Sequence, residues 1–398
     1  MLTVEEAYQI VLDHRADFSV ETVALADALG RMLREPLLAD RNFPPFDRVT
    51  MDGVALCYET WQNGQTIFGI ENTAAAGKPQ QTLQNAQNCV EVMTGAMLPA
   101  GTDTVLRYED LAIKNGTATI QVAEVRHGQN VHYEAQDRKM GELIVPAGRR
   151  ITPAELGVAA SVGKAVLKVA TQPRAVIIST GDELIAVDKT PLPHQIRTSN
   201  GYALQAALRT HGVQADNLHL PDNAEVIEQQ LALCLEKYDF ILFSGGVSAG
   251  KFYFVPAALD KCGVKKIFHK VAQRPGKPFW FGQSLAGKAV FALPGNPVST
   301  FMCLHRYVLP WLQASLGGVA TSPMMAALDR DFTFEPPLTY FLQVKLSLDA
   351  QGVCQASPVT GNGSGDLANL VDADAFLELP QQFTIFSKGT LFKVYNYR

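Results

Sequence analysis

The sequence is short of the features that mark several large classes of protein. It has no apolar run near the roughly 18 residues a membrane span requires, and its N-terminus, MLTVEEAYQI, has no basic-then-apolar leader. Six cysteines, Cys57, Cys89, Cys234, Cys262, Cys303 and Cys354, are scattered without a C-x-x-C pair, and eight histidines fall outside any H-E-x-x-H. A disulfide framework and a thiolate zinc site are therefore not expected, and a reducing cytoplasm fits best. Charge of one sign is also lacking. The sum is 34 basic against 39 acidic residues, a net −5, so nonspecific nucleic-acid binding, which needs surplus Lys and Arg, is not expected.

What is present is ordinary globular material. The 398 residues are 47% hydrophobic and 18% charged, enough apolar matter for more than one core. Thr3 and Glu6 form a capping-box pattern that opens a helix with Ala7, Ile10 and Val11 on one face. A second helix is expected from Val20 to Leu33, followed by a loop broken at Pro44 and Pro45. From about 60 to 145, short β-type runs alternate with turns, and Asn115-Gly116 marks a hairpin. A helix begins at Pro153 with Thr152 as its N-cap.

From 174 to 316 strands and amphipathic helices alternate. The strands are AVIIST (175–180), DFILFSGG (239–246), VKKIFHKV (264–271) and KAVFALPG (288–295), and the helices lie at 201–212, 223–238, 253–261 and 297–316. This spacing predicts a parallel sheet covered on both faces. The segment 320–398 alternates like an all-β module.

Ligands bind at the carboxyl ends of such strands. Three strands there run into TGDE, GGVSAG and GNPVS. Glycines admit close backbone approach, and helix N-termini favour anions, with Asn296 as N-cap and Pro297 as first helical residue. Lys270, Arg274 and Lys277 lie within eight residues of one another in a proline-stiffened stretch. Together they predict a cleft for phosphate or an oxyanion. The connection from Asp182 to Asn200 is long enough to suggest a functional loop. Two stretches imitate a P-loop. Gly245–Lys251 ends in Phe252 where Ser or Thr would hold magnesium, and Gly282–Lys288 joins two β-runs as a hairpin, so neither is complete. Asp52, Asp137, Asp182, Glu183 and Asp222 are turn-formers taken singly and a set of hard oxygen ligands taken together. Cys303 reads as core.

The order of motifs PPFDRVTMDG (44–53), VMTGAMLPAGTDTVL (92–106), STGDEL (179–184), SGGVSAG (244–250), RPGKPF (274–279) and LPGNPVS (293–299) resembles that of the molybdopterin molybdenumtransferases. The resemblance implies an elongated subunit of four parts. These are a split helical and linker domain (1–45 and 140–172), an inserted β-domain (46–139), a molybdopterin-binding α/β domain (173–318) and a C-terminal β-barrel (319–398). It implies insertion of molybdate into adenylylated molybdopterin with release of AMP, assisted by Mg²⁺. It also implies a homodimer with a shared active site, and the molybdopterin adenylyltransferase as a partner.

Residue by residue, the resemblance carries catalytic roles to Asp52, Thr94, Asp137, Glu183, Asp222, Lys270 and Lys277. It carries ligand binding to Gly245, Gly246, Ser248, Arg274, Pro294, Gly295, Asn296, Pro297 and Ser299, and metal binding to Glu183 and Asp222. The chain departs from the family pattern at Ala135-Gln136 before Asp137, at Thr198, at Arg274 in place of a lysine, at Tyr253 in place of an aspartate and at Gln343 in place of an arginine. The Tyr253 departure keeps a second reading open, a molybdopterin-binding scaffold with weak turnover. A smaller adenylyltransferase of the same α/β type would not need the C-terminal β-module.

Overall fold

The computed structural model describes residues 1–246, 254–320 and 322–398. The chain divides into two compact units. One comprises 1–35, 147–152 and 166–398, and the other 36–146 and 153–165.

The larger unit is built on a six-stranded sheet in the order Gln214–Leu220, Arg174–Thr180, Phe240–Ser244, Ala289–Leu293, Trp280–Ser284, Val264–His269. The first four strands are parallel. Trp280–Ser284 runs against them, joined to Ala289–Leu293 through a hairpin between 284 and 289, and Val264–His269 pairs antiparallel with Trp280–Ser284 and so runs in the direction of the first four. The expected all-parallel sheet is thus corrected at one strand: Trp280–Ser284 is reversed, while 264–269 keeps the expected direction. The strand Gln214–Leu220 was not among those the sequence spacing marked. Its pattern, exposed at Asp216 and Asn217, has the polar texture of an edge.

Alternation explains the layers. Ala175, Ile177, Phe240 and Leu242 face one core, shared with Leu204, Leu208 and Trp311 from helices on that side. Val176, Ile178, Ile241 and Phe243 face the other, shared with Ile227, Leu231 and Leu259. Successive side chains of a strand point to opposite faces, so a sheet covered twice reads as a continuous apolar run. Each fully buried Val, Leu, Ile or Phe among them contributes roughly 1.5–3 kcal/mol. The first helix, Val4–Asp13, has the expected capping box and buries Val4, Ala7 and Val11.

The expected helix from Val20 to Leu33 does not form. Val20–Ala24 is a strand paired antiparallel with Val166–Ala170, and only Leu25–Asp27 turns as a 3₁₀ segment. The β-branched Val20, Thr22 and Val23 suit the pleat, and a partner strand at 166–170 is too remote in sequence for local pattern to show.

In the C-terminal part, Thr339–Leu348, Cys354–Pro358, Met324–Leu328, Leu391–Asn396 and Ala375–Leu379 pair in a closed ring, the expected barrel. It also carries a short helix, Asn369–Asp372. Arg306, buried in the helical run after Pro297, bonds Glu378 of the barrel at 3.1 Å and Glu5 at 3.2 Å.

The smaller unit holds a six-stranded mixed sheet in the order Thr104–Arg107, Gly53–Leu56, Asn88–Val92, Ile67–Ala74, Thr117–Ile120, Leu111–Lys114, with an apolar cluster on each face. The hairpin turn sits where expected, with Asn115 and Gly116 at φ 52° and 72°. All six cysteines are free, and burial pushes the Cys89 thiol up to about 12. Cys303 is wholly buried, as expected of core.

Candidate functional site

In the larger unit the loops that follow the three central parallel strands line one cavity of about 840 Å³. Thr180 and Glu183 come from the first loop, Gly245 and Gly246 from the second, and Pro294, Gly295, Asn296 and Pro297 from the third, with Ser299 just behind. The barrel closes the other side with Tyr340, Gln343 and Ser364. The long 182–200 connection is ordered by a short ribbon, Leu184–Ile185 with Ile196–Arg197, and contributes Leu184, Ile196 and Thr198 to the wall.

Close approach of backbone shapes this cavity. Gly245 and Gly246 take φ of 102° and 73°, and a Cβ on Gly246 would lie 2.5 Å from Val255 and 2.8 Å from Thr180 Oγ1. Only glycine fits such a turn. Asn200 staples two loops, its Nδ2 donating to Ser244 Oγ at 2.9 Å and to the Gly295 carbonyl at 2.7 Å. Asn296 occupies the N-cap position, as expected, but its side chain does not cap. Its Nδ2 donates to Ser364 Oγ at 2.7 Å, tying the helix start to the barrel segment.

The electrostatics favour an anion. Arg274 and Lys277 line the cavity and are exposed, and their side chains make no hydrogen bond or ion pair with a described residue. Thr180 Oγ1 is buried among the lining residues without a hydrogen-bond partner among the described residues. Leaving a buried hydroxyl unpaired costs on the order of 1–3 kcal/mol, which a bound acceptor would recover. Lys270 does not line the cavity. It sits in a left-handed conformation, φ 73°, with its N–H donating to the Phe279 carbonyl at 2.9 Å.

Beside the cavity lies an acidic group. Asp222 does not line the wall, whereas Glu183 does. Asp182 Oδ1 accepts from the Asp222 N–H at 3.1 Å. Partial burial, then the charges of Asp182 and Glu183, raise the Asp222 carboxyl above its ordinary value. Among the described residues no group of three or more His, Cys, Asp or Glu is placed to hold a metal by itself.

The smaller unit carries its own polar corner. Gly53–Leu56 and Asn88–Val92 pair antiparallel with Gly53 opposite Val92, so Asp52, just before one strand, meets Thr94, just after the other. Asp52 Oδ1 accepts from the Thr94 N–H at 2.6 Å and from its hydroxyl at 2.7 Å. These bonds hold the Asp52 carboxyl below its ordinary value. Gly53 is required here, since a Cβ would meet the Leu106 carbonyl oxygen at 1.8 Å. Asp137 bonds His132 at 3.0 Å, and its N–H donates to the Phe43 carbonyl at 2.8 Å.

Sequence reasoning missed Asn200, Thr180 and Tyr340. No residue type at these positions signalled a role: Asn200 and Tyr340 act through pairings with segments distant in sequence, and the burial of the Thr180 hydroxyl is a property of the packed loops. Ser248 and Tyr253 lie outside the described residues.

Three comparisons bear on identity. Residues 2–163 match the MoeA N-terminal region (domain I and II), 176–314 a probable molybdopterin binding domain, and 325–397 the MoeA C-terminal region (domain IV). A molybdopterin molybdenumtransferase of Synechocystis is 41% identical over 99% of this chain and 100% of its own length, and one of Haemophilus influenzae is 32% identical over 98% and 97%. A crystal structure of a MoeA protein of molybdopterin biosynthesis from Pyrococcus horikoshii superposes with a TM-score of 0.81 at 27% identity, covering 100% of this chain and 99% of that one. Full-length relatives at this identity, three matching regions in order, and a parallel sheet whose loops meet a closed barrel place the chain in the molybdopterin molybdenumtransferase family of molybdenum cofactor biosynthesis.

Proposed function

We propose that the chain transfers molybdate to adenylylated molybdopterin, releasing AMP and forming molybdenum cofactor. The observation that carries this reading is the cavity, in which Arg274 and Lys277 share the lining with three glycine-bearing loops and form no ion pair with an acidic side chain among the described residues. A phosphate-bearing pterin and an oxyanion are both anions, and unpaired cations beside fixed backbone suit both. Positioning of two bound reactants can by itself supply a large part of a rate enhancement.

Named roles follow. Arg274 and Lys277 hold anionic oxygens. Gly245, Gly246, Pro294, Gly295, Asn296, Pro297 and Ser299 orient the ligand through backbone and short side chains. Lys270 adds a cation near this loop. In the smaller unit Thr94 keeps Asp52 ionised and occupies only its Oδ1, so Oδ2 is the proton acceptor of this reading. Asp137 is a further acidic group of the same unit, and the reading includes a homodimer in which the α/β domain of one subunit and the inserted β-domain of the other share a site. The molybdopterin adenylyltransferase as supplier of substrate, and a cytoplasmic location, belong to the same reading.

Magnesium fits the donor set. Asp182, Glu183 and Asp222 are hard oxygen ligands close enough that their charges raise Asp222. Mg²⁺ usually takes one or two carboxylates, with waters and substrate phosphates completing its shell. Glu183 and Asp222 would hold it. When bound, it would neutralise charge on the phosphoanhydride.

The test is reconstitution of an apo-molybdoenzyme with this protein, adenylylated molybdopterin, molybdate and Mg²⁺. The expected outcome is AMP released in step with recovered enzyme activity. Tight binding of adenylylated molybdopterin without AMP release would favour the scaffold reading. Light scattering should give about twice the 43.3 kDa chain mass.

A further inference from the structure

Arg274 is a departure from the lysine that the family resemblance leads one to expect, and its surroundings suit a guanidinium. Gln273 and Arg274 form a two-residue strand paired in parallel with the barrel strand Thr339–Leu348, Arg274 opposite Tyr340. The Thr339 N–H donates to the Ala272 carbonyl at 3.0 Å just before the pair. From inside, the wholly buried Gln273 donates to the Gly276 carbonyl at 3.0 Å and accepts from the Tyr307 hydroxyl. The backbone of the Arg274 loop is therefore held on two sides.

The side chain is held as well. Arg274 Cζ lies 5.8 Å from the centroid of the Phe334 ring. Phe334 stacks on Tyr340 at 4.3 Å and 7°, and Tyr340 on Phe332 at 5.9 Å and 15°. These three rings, all from the C-terminal part, make a column that ends under the guanidinium. Phe334 is itself buried and is not among the cavity's lining residues. A guanidinium is planar and stacks on such a face while keeping its donor fork free. An ammonium on a flexible stem presents no plane and would not be oriented in this way. Because the Arg274 side chain has no hydrogen-bond or ion-pair partner among the described residues, its donors are available to a ligand.

We propose that Phe334 is a positioning residue for the transfer reaction. It fixes the Arg274 guanidinium so that Arg274 binds a tetrahedral oxyanion, either the substrate's phosphate or molybdate, as an oriented fork rather than a point charge. The proposal rests on the functional reading above, and it gives the barrel a part in substrate binding.

The test is a double-mutant cycle in the full-length protein with Phe334→Leu, Arg274→Lys and the pair. AMP release is followed while adenylylated molybdopterin and molybdate are varied in turn. Phe334→Leu should raise the KM for one of the two anions about three- to fivefold, the size of an exposed cation–π contact, with kcat within about twofold of the parent. Which KM moves identifies the phosphate or the molybdate as the anion. Arg274→Lys should raise the same KM, and the double variant should be no worse than Arg274→Lys alone, since Phe334 then has nothing to position. Phe334→Tyr should restore the parent KM. If the two effects multiply in the double variant, if Phe334→Leu leaves both KM values unchanged, or if Phe334→Leu lowers kcat and thermal stability together with no rescue by Phe334→Tyr, the positioning role is overturned. A parent protein that neither binds adenylylated molybdopterin nor releases AMP overturns the functional reading, and this inference with it. An active parent with a multiplicative cycle overturns the role of Phe334 alone.

Discussion

Asp52 in the smaller unit and Asp222 in the larger are the same residue type in opposite electrostatic settings. Asp52 accepts two bonds from Thr94 and is held below its ordinary proton affinity. Asp222 is partly buried beside Asp182 and Glu183 and is pushed above its own. Hydrogen bonds to the charged form favour it, whereas burial and like charge disfavour it. The difference separates two kinds of acidic position. Asp52 is a carboxylate kept ionised by its own fold. Asp222 belongs to a group of like charges that disfavour its ionised form.

The largest effect that would break this comparison is at Asp52. Asp52→Asn keeps the shape and can still accept a hydrogen bond from Thr94 through its carbonyl oxygen, but it removes the charge and replaces Oδ2, the proposed proton acceptor, with an amide. AMP release should fall by on the order of 100-fold or more, the range for loss of a positioned acid–base or electrostatic group. Thermal stability should hold within a few degrees, because the side chain is exposed. Near-parent turnover in a stable variant would return Asp52 to the role of a turn residue.

The sequence made this corner legible as a motif and not as a contact. MDG and MTGA stand about 40 residues apart, and only the antiparallel pairing of 53–56 with 88–92 shows that they meet. The three cavity loops were legible because each ends a short apolar strand, and short-range pattern suffices for that. Asn200 was not, since its partners lie on other loops, and Thr180 was not, since the burial of its hydroxyl is set by how the loops pack. The strand Val20–Ala24 was read as helix for the same reason: its partner, Val166–Ala170, is remote in sequence. Ala135, one of the departures from the family pattern, adds a detail. It takes a left-handed φ of 60°, which costs a residue with a Cβ roughly 1–2 kcal/mol.

An intermediate effect sharpens the comparison. Thr94→Val removes the hydroxyl donor to Asp52 and keeps the backbone N–H, which is the larger cause of the lowered proton affinity. NMR titration of the aspartate carboxyls should show Asp52 titrating at higher pH than in the parent, though still below its ordinary value, with Asp222 unmoved. Turnover at neutral pH should fall only severalfold, because Asp52 stays ionised there. If Asp52 titrates as in the parent, the hydroxyl contributes nothing and Thr94 acts through its backbone alone.

The smallest effect is at Asp222, and its sign is opposite. A carboxyl raised in the folded state is disfavoured when charged. Its contribution to stability is fully present below the ordinary value of 3.8 and is lost as pH rises through the raised folded value. At pH 7, then, the charge on Asp222 is a liability, and Asp222→Asn should stabilise the protein. The gain should be only a few tenths of a kcal/mol, since the group is partly exposed and screened by solvent. It should shrink toward zero as pH falls through the Asp222 titration. Added Mg²⁺ should reverse the order. A cation held by Glu183 and Asp222 stabilises the folded parent by mass action, and the Asn variant, with one ligand charge gone, gains less from it. Thermal denaturation at pH 7 and pH 4, with and without millimolar Mg²⁺, reads both effects. A variant less stable than the parent at pH 7 without metal would mean that Asp222 makes a favourable contact that outweighs its repulsion by Asp182 and Glu183. Equal Mg²⁺ stabilisation of the two proteins would move the cation away from Asp222.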